Sequence, residues 1–487
     1  MRFLVFLIAA LSLAGCGSPS DDGIIDVAFI GETDDLFAEG LRLPTSAQHV
    51  RAATSEGLVA LDGSGRITPA IAERWIVTDD GASYIFRLRD SNWPDGTPIT
   101  GENVRQALRN NLRALSGTSL GLDLAKVSEI RAMTGRVVEI RLTSAMPDFL
   151  QLLAQPELGL QRDGVGTGPM QLVQTDDIAS LEVMSPEARG LPRKEDWQDE
   201  FRALRVKAMD ARAANQSFSR NEVEVVLNGK LSTLPYADIG ALSRGTVRLE
   251  AALGLFGLTV QSDAGFLSEA ANREALSLAV DREVLMEPFN IGGWTSTTRI
   301  VAPDLNGDSG LVGERWSDLS IEQRRAIARQ RVNSWLRAND EGEVSLSIAL
   351  PEGPGSGRLF RRLSAMYREV GIGLTLATGS ARADLTLKDR TARYGAARWF
   401  LNQFHCTLTD GLCSPEADRL VAEAIRATDP TLYTELMAEA ERQLTAANFY
   451  IPFGAPIRWS LVRAGVDGFN ENAWAIHPLF SLASDTI

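Results

Sequence analysis

The sequence predicts an α/β protein of more than one folded unit, on three observations. The chain has 487 residues, 44% of them hydrophobic, whereas a single core stops growing near about 250–300 residues. Short alternating apolar stretches, the mark of half-buried strands, interleave to the end with apolar stripes of helical period. No segment after the first residues approaches the roughly 20 apolar residues of a membrane-spanning helix. Length alone suggests roughly two to four domains. The 63 acidic and 49 basic side chains give a formal charge of −14. That balance argues against a nucleic-acid partner, which needs clustered Lys and Arg. The basic residues are almost all Arg, with Lys only at Lys126, Lys194, Lys207, Lys230 and Lys388.

Met1-Arg2-Phe3 is a short positive start, and Leu4 to Leu13 an almost unbroken apolar run. Such a run is the length of a signal-peptide core, about 7–15 residues. Leu13-Ala14-Gly15-Cys16 resembles the bacterial lipoprotein signal, with cleavage before Cys16 and acylation of its sulfur. The expectation is a signal peptide over 1–15, a polar tether over 16–23 and an exported protein held on a bacterial membrane by lipid. Export places Cys406 and Cys413 in an oxidising compartment, where a disulfide is the default. It closes a short loop and contributes about 2.5 kcal/mol in the chain-entropy account. A metal site, the alternative, needs more ligands nearby than His405.

Ile24 to Ile30 is a strand candidate. Ser83 to Arg89 alternates, placing Tyr84, Phe86 and Leu88 on one face. Trp93-Pro94-Asp95-Gly96-Thr97-Pro98 is turn chemistry. Thr100 caps a helix with Val104, Leu108, Leu112 and Leu115 on one side and Glu102 in its first turn. Val138, Ile140 and Leu142 mark another strand, and Gly164 to Pro169 looks like a crossing between lobes. Ser320-Ile321-Glu322-Gln323 is a capping box opening a long helix. Asp429-Pro430 opens another, with Leu432, Leu436, Ala440 and Leu444 as its stripe.

A catalytic constellation is not legible. The three histidines, His49, His405 and His477, lie far apart in sequence without metal-ligand spacing, and His405 and His477 read as structural. Gly117-Thr118-Ser119-Leu120-Gly121 matches a nucleophile elbow in letters, but Ser119 follows a helix rather than a strand. The glycines at 164–168 and 353–357 lack the Lys-Ser/Thr of a phosphate loop and read as loops. No enzyme and no cofactor are expected.

Ordered motifs carry a resemblance. Glu56-Gly57-Leu58-Val59, Ile67 to Trp75, Asp80 to Arg89, Asp95-Gly96-Thr97-Pro98 and Glu102-Asn103-Val104 follow one another. Gly166-Thr167-Gly168-Pro169, with Met170 in place of the usual aromatic, Arg273 to Leu276, Ala279 to Arg282 and Ile451-Pro452 continue the series. Together they resemble family 5 of the extracytoplasmic solute-binding proteins of ABC importers, the oligopeptide-, dipeptide- and nickel-binding class. The resemblance implies a two-lobed periplasmic-binding-protein fold of the hinge-closing type II, with a subdomain inserted in the first lobe. It implies lobe I over 24–50, 165–250 and 455–487, the insert over 51–164 and lobe II over 251–454. A monomer would capture a peptide or similar small polar solute and deliver it to the permease and ATPase complex. Nickel is less favoured, since no His or Met cluster marks the expected cleft.

Counted forward from Asp384, Arg390 takes the position of a tryptophan of the peptide-binding relatives. Arg393 takes that of the aspartate which meets the ligand amine, and Tyr394 is kept. A cation anchor thus becomes an anion anchor, since a guanidinium fork matches carboxylate or phosphate. Family position also nominates Thr33, Asp34, Glu56, Gly57 and Trp399 as ligand-binding. The readings are therefore peptide capture, capture of an anionic non-peptide ligand on the same fold, and a secreted hydrolase using Ser119.

Overall fold

The computed structural model describes residues 23–237, 245–377, 382–409 and 411–484. Residues 1–22, including the expected signal and the lipidation site Cys16, lie outside that set. Among the described residues no helix is long and apolar enough to cross a membrane.

The apolar run Ile24–Ile30 forms a strand near the centre of a seven-stranded sheet. Across that sheet the order is Met170–Thr175, Ile178–Val183, Ala203–Met209, Ile24–Ile30, Val225–Lys230, Ile457–Val462 and Val247–Ala251. Ile24–Ile30 pairs in parallel with both its neighbours. A parallel strand covered on both faces is mostly apolar, which is why it reads as a run rather than an alternation, interrupted here by Asp26, which pairs with Arg205. A five-stranded sheet has the order Ile372–Leu376, Val344–Ala349, Leu385–Thr391, Gly254–Val260 and Tyr450–Gly454.

Between the first and second strands in sequence of the larger sheet lies a separate four-stranded antiparallel sheet. Its order is Ala72–Val77, Ser83–Leu88, Val137–Leu142 and Val127–Ala132. Tyr84, Phe86 and Leu88 are buried as their alternation requires, against Val104 and Leu108 of the helix Gly101–Ala114. The Thr100 hydroxyl accepts from the Asn103 backbone N–H at 3.2 Å while the Asn103 side chain accepts from the Thr100 N–H at 3.3 Å. Those bonds satisfy backbone donors the first turn leaves free.

The chain passes between the two larger sheets at Ala251 to Gly254 and again at Gly454 to Ile457. These crossings run side by side, joined by the Ala252 N–H donating to the Pro456 carbonyl at 2.9 Å. Gly164 to Pro169 is not a crossing between them. It returns from the four-stranded sheet into the seven-stranded one, tucked under the end of the helix Thr45–Thr54. A Cβ on Gly166 or Gly168 would lie 2.1–2.2 Å from the Thr54 backbone, so this close approach requires glycine.

Two other expectations shift. Residues 353–357 are not a loop: Gly353 precedes the helix Pro354–Arg368, and a Cβ on Gly355 would meet the Leu231 carbonyl at 2.0 Å. The helix Pro430–Ala447 buries Met437, Ala440, Glu441 and Leu444, while Leu432 stands 44% exposed. Glu441 can face inward because Arg299 pairs with it at 3.0 Å and the Ile300 and Val301 N–H groups donate to it. Cys406 and Cys413 form a disulfide, with Cα atoms 5.2 Å apart.

A buried polar knot joins the inserted sheet to the chain following Leu385–Thr391. Fully buried Asp123 accepts from the Tyr394 hydroxyl at 3.0 Å and the Asn402 amide at 2.7 Å, and Arg398 donates to the Asp123 carbonyl. Burial raises the Asp123 carboxyl to about 6, against the opposing pull of Arg398. Removing one member strands the others in low dielectric. Asp123→Ala should lower stability by about 3 kcal/mol in urea unfolding and Asp123→Asn by distinctly less; equal, small losses for both would contradict this account.

Candidate functional site

At the crossings, both larger sheets contribute to a polar cavity of about 230 Å³. Asn228, Lys230, Glu250 and Arg458 come from the seven-stranded sheet, and Asp389 and Arg390 from the five-stranded one. Gln48 and His49 on the helix Thr45–Thr54, Gln155 from the insert, Arg393 after the strand and His477 near the C-terminus add to the polar lining.

Most of these charges cancel in pairs. Arg458 donates to Asp389 at 2.6 Å, each side chain 9% exposed, linking one sheet to the other. Arg393 lays its fork on Glu157 at 2.7 and 2.9 Å and donates to the Gln155 carbonyl oxygen at 2.9 Å. The His477 Nε2 meets Glu250 at 3.0 Å. Lys230 and Arg390 differ: among the described residues, no hydrogen bond or ion pair engages the ammonium of one or the guanidinium of the other. Burial lowers the pKa of both and like charges push further, Arg458 and Arg390 on Lys230 and Arg393 on Arg390, while Asp389 pulls Lys230 and Asp123 pulls Arg390 back up. A protein of formal charge −14 thus presents to one cavity two cations without a direct partner, Lys230 half-buried and Arg390 exposed.

His49 is 7% exposed, and its Nδ1 lies 2.8 Å from the Thr45 carbonyl, to which it donates. The other nitrogen is therefore an acceptor. Burial lowers its pKa to about 4, so the ring is neutral at neutral pH.

A second cavity of about 290 Å³ adjoins the first, sharing Gln48, His49, Gln155 and Ile476. Its lining is mainly apolar, with Val59, Leu61, Ala154, Pro169 and Phe480. Glu56 also borders it, bound by Arg89 at 2.5 Å and Arg189 at 3.6 Å. Gly57 lies beside it, where a Cβ would stand 3.0 Å from the Leu153 carbonyl.

The nominated residues therefore separate. Arg390 and Arg393 border the polar cavity, Glu56 and Gly57 the apolar one. Arg393 is not a free anion anchor, because Glu157 already fills its fork. Tyr394 and Trp399 line neither cavity and are buried, the first bonded to Asp123 and the second packed edge-on against Phe400. Thr33 and Asp34 sit exposed on a single-turn helix after the first strand, lining neither cavity. Ser119 has its hydroxyl bonded to the Gln403 amide at 2.8 Å, within the short helix Ser119–Asp123.

Sequence reasoning missed Lys230, Gln48, Asp389 and Arg458, and it read His477 as merely structural. One signal was available: Arg458 places a cation within the wholly buried strand Ile457–Val462, and a cation there demands an acid from elsewhere. His49 and His477, remote in sequence, border one cavity, although no group of three or more His, Cys, Asp or Glu suited to a metal occurs among the described residues.

Residues 66–404 match the family described as bacterial extracellular solute-binding proteins, family 5 Middle. The chain is 21% identical to the periplasmic oligopeptide-binding protein OppA of Salmonella typhimurium over 462 residues, covering 85% of this chain and 84% of that one. It is 35% identical over 129 residues to the probable deoxycholate-binding periplasmic protein YgiS of Escherichia coli, a match of 21% of this chain and 23% of that protein's length. The fold resembles Haemophilus influenzae OppA in complex with RPPGFSPFR, with TM-score 0.77 and 18% identity, over 96% of this chain and 99% of that one.

Two expectations follow from the geometry. The His49 pKa is depressed from 6.5 to about 4, so its contribution is complete above the unfolded value and is lost as pH falls through the folded one, up to about 3 kcal/mol. Urea unfolding between about pH 7 and pH 4 should show a slope that weakens in His49→Gln; an unchanged slope would refute the assignment. Arg393→Ala leaves Glu157, 2% exposed, as an unpaired buried charge and should cost about 3 kcal/mol. Adding Glu157→Leu should restore most of it, whereas a double variant no better than the single would show the two uncoupled.

Proposed function

Because the chain belongs to family 5 of the bacterial extracellular solute-binding proteins of ABC transporters, we propose that it captures a small polar solute bearing an anionic group. The solute, a peptide or an anionic non-peptide molecule, would bind in the polar cavity between two closing lobes and pass to a permease and its ATPase. We assign lobe I to 24–50, 165–250 and 455–487, the insert to 51–164 and lobe II to 251–454. Acylation of Cys16 would hold a monomer on the periplasmic side of a membrane and raise its effective concentration near the permease.

The observation that carries this reading is the unpaired couple of Lys230 and Arg390, one on each lobe. Without a ligand they repel across the cleft, and a carboxylate or phosphate between them turns repulsion into two charge-assisted contacts. A ligand shifts the lobes only as far as it favours the closed arrangement, and the anion, held by one cation from each lobe, would set which solute enters the cleft. A free peptide offers a carboxylate at one end and an ammonium at the other; these cations favour the first and oppose the second.

The test is a thermal-shift and calorimetric screen of the dialysed protein with trialanine, N-acetyl-trialanine, short dicarboxylates and sugar phosphates. Arg390→Gln and Lys230→Gln should each weaken the best anionic hit roughly 10- to 100-fold, since charged hydrogen bonds contribute about 1.5–3 kcal/mol. Wild-type affinity in both variants would overturn the anion reading.

A further inference from the structure

The polar cavity is not closed on itself. It shares a wall with a larger apolar cavity, and that wall is unequally held. Gln155 is fixed at both ends of its amide, accepting from Arg393 and donating to the Gln151 carbonyl at 3.0 Å and the Arg393 carbonyl at 3.3 Å. Among the described residues the Gln48 side chain has one bond, from its amide nitrogen to the Leu43 carbonyl at 2.8 Å, and Ile476 is held by Asn472 through its backbone alone, its side chain having no polar group. The part of the wall that can rotate is therefore Gln48 and Ile476.

Beyond it, the carboxylates bordering the apolar cavity already have partners, Glu56 with Arg89 and Arg189 and Asp62 with Arg66. Arg189 also lies over the Phe480 ring, 4.8 Å from its centroid. What remains to be covered is hydrocarbon surface such as Val59 and Leu61. A peptide backbone there would give up its hydration without gaining partners, whereas a hydrocarbon would gain by leaving water. A solute engaging both cavities therefore needs opposite characters at its two ends.

Building on the anion reading, we infer that the ligand is an amphipathic acid, a carboxylate on an apolar body without a free amine. Its head sits between Lys230 and Arg390, and its hydrocarbon passes Gln48 and Ile476 into the adjoining cavity. The neutral His49 accepts at the junction, suiting a hydroxyl or amide N–H just behind the head.

Calorimetric titration of the full, dialysed chain with hexanoate, octanoate and decanoate tests this, with decylammonium and trialanine alongside. Affinity should rise about fourfold for each added methylene, the increment of burying a CH₂ group. Decylammonium and trialanine should bind at least tenfold more weakly than decanoate. Ala154→Trp, or Ala52→Leu if the first fails to fold by circular dichroism, fills the apolar cavity. It should flatten the chain-length series while leaving hexanoate unchanged. Arg390→Gln should weaken all three acids by the same factor. A flat series in the wild type, tighter binding of trialanine than decanoate, or decanoate binding untouched by the folded cavity-filling variant would overturn the inference. If the series is flat but short carboxylates bind in an Arg390-dependent way, the amphipathic ligand falls and anion capture stands. If no anion depends on Arg390 or Lys230, both fall.

Discussion

The ion pair between Arg458 and Asp389 is the contact on which the arrangement of the site depends. Arg458 belongs to the strand Ile457–Val462 of one sheet and Asp389 to the strand Leu385–Thr391 of the other. Each charge is largely removed from water, so either alone would be strongly penalised. A pair of this kind adds little net stability relative to apolar packing; its leverage lies in specificity, because only one juxtaposition of the sheets satisfies both charges. The backbone prepares that juxtaposition. The two crossings lie side by side, and Gly254 lets the neighbouring strand approach so closely that a Cβ would meet the Arg390 carbonyl at 2.1 Å.

Pairing at the crossings also decides which charges remain for a ligand. Asp389 is committed to Arg458, Glu157 to Arg393 and Glu250 to His477. With these acids engaged, Lys230 and Arg390 are left without a direct partner among the described residues, and cations outnumber carboxylates in the cavity lining, opposite to the whole protein. Net charge therefore does not predict ligand sign. The same reasoning removes Arg393 from the anion-binding role that its position in sequence suggested, since a guanidinium whose fork is filled by a buried carboxylate has little left to offer.

Local structure was legible because it follows from local rules. The alternation through Tyr84, Phe86 and Leu88, the caps at Thr100 and Ser320, and the apolar run at Ile24–Ile30 all took their expected form. In Pro430–Ala447 the stripe holds at Leu436, Ala440 and Leu444 but not at Leu432, and the helix also buries Glu441, which no local pattern marks because its partner Arg299 is distant in sequence. The site was less legible for a similar reason. Tyr394 and Trp399 are large and aromatic, as ligand-facing residues often are, yet they fill the seam between insert and lobe. Lys230 gave no local signal, and what distinguishes it is the absence of a direct hydrogen-bond or ion-pair partner among the described residues, a property no stretch of sequence displays.

The position of the two cations relative to the crossings has a mechanical consequence. Lys230 pairs in register with Arg458, one residue beyond Ile457, and Arg390 with Leu255, one residue beyond Gly254. Groups beside a pivot move least when two lobes hinge about it. An anionic head held there can bind while the lobes are still apart and loses comparatively little when they open. The preference for the closed state that a binding protein requires must then come largely from contacts farther from the pivot. In this chain those are the seam where Gln155 and Glu157 meet Arg393, and the apolar cavity beyond Gln48 and Ile476. On the proposed ligand, head and body would thus divide the work: the charge near the hinge selecting what enters, and the surface buried away from it selecting what closes the lobes.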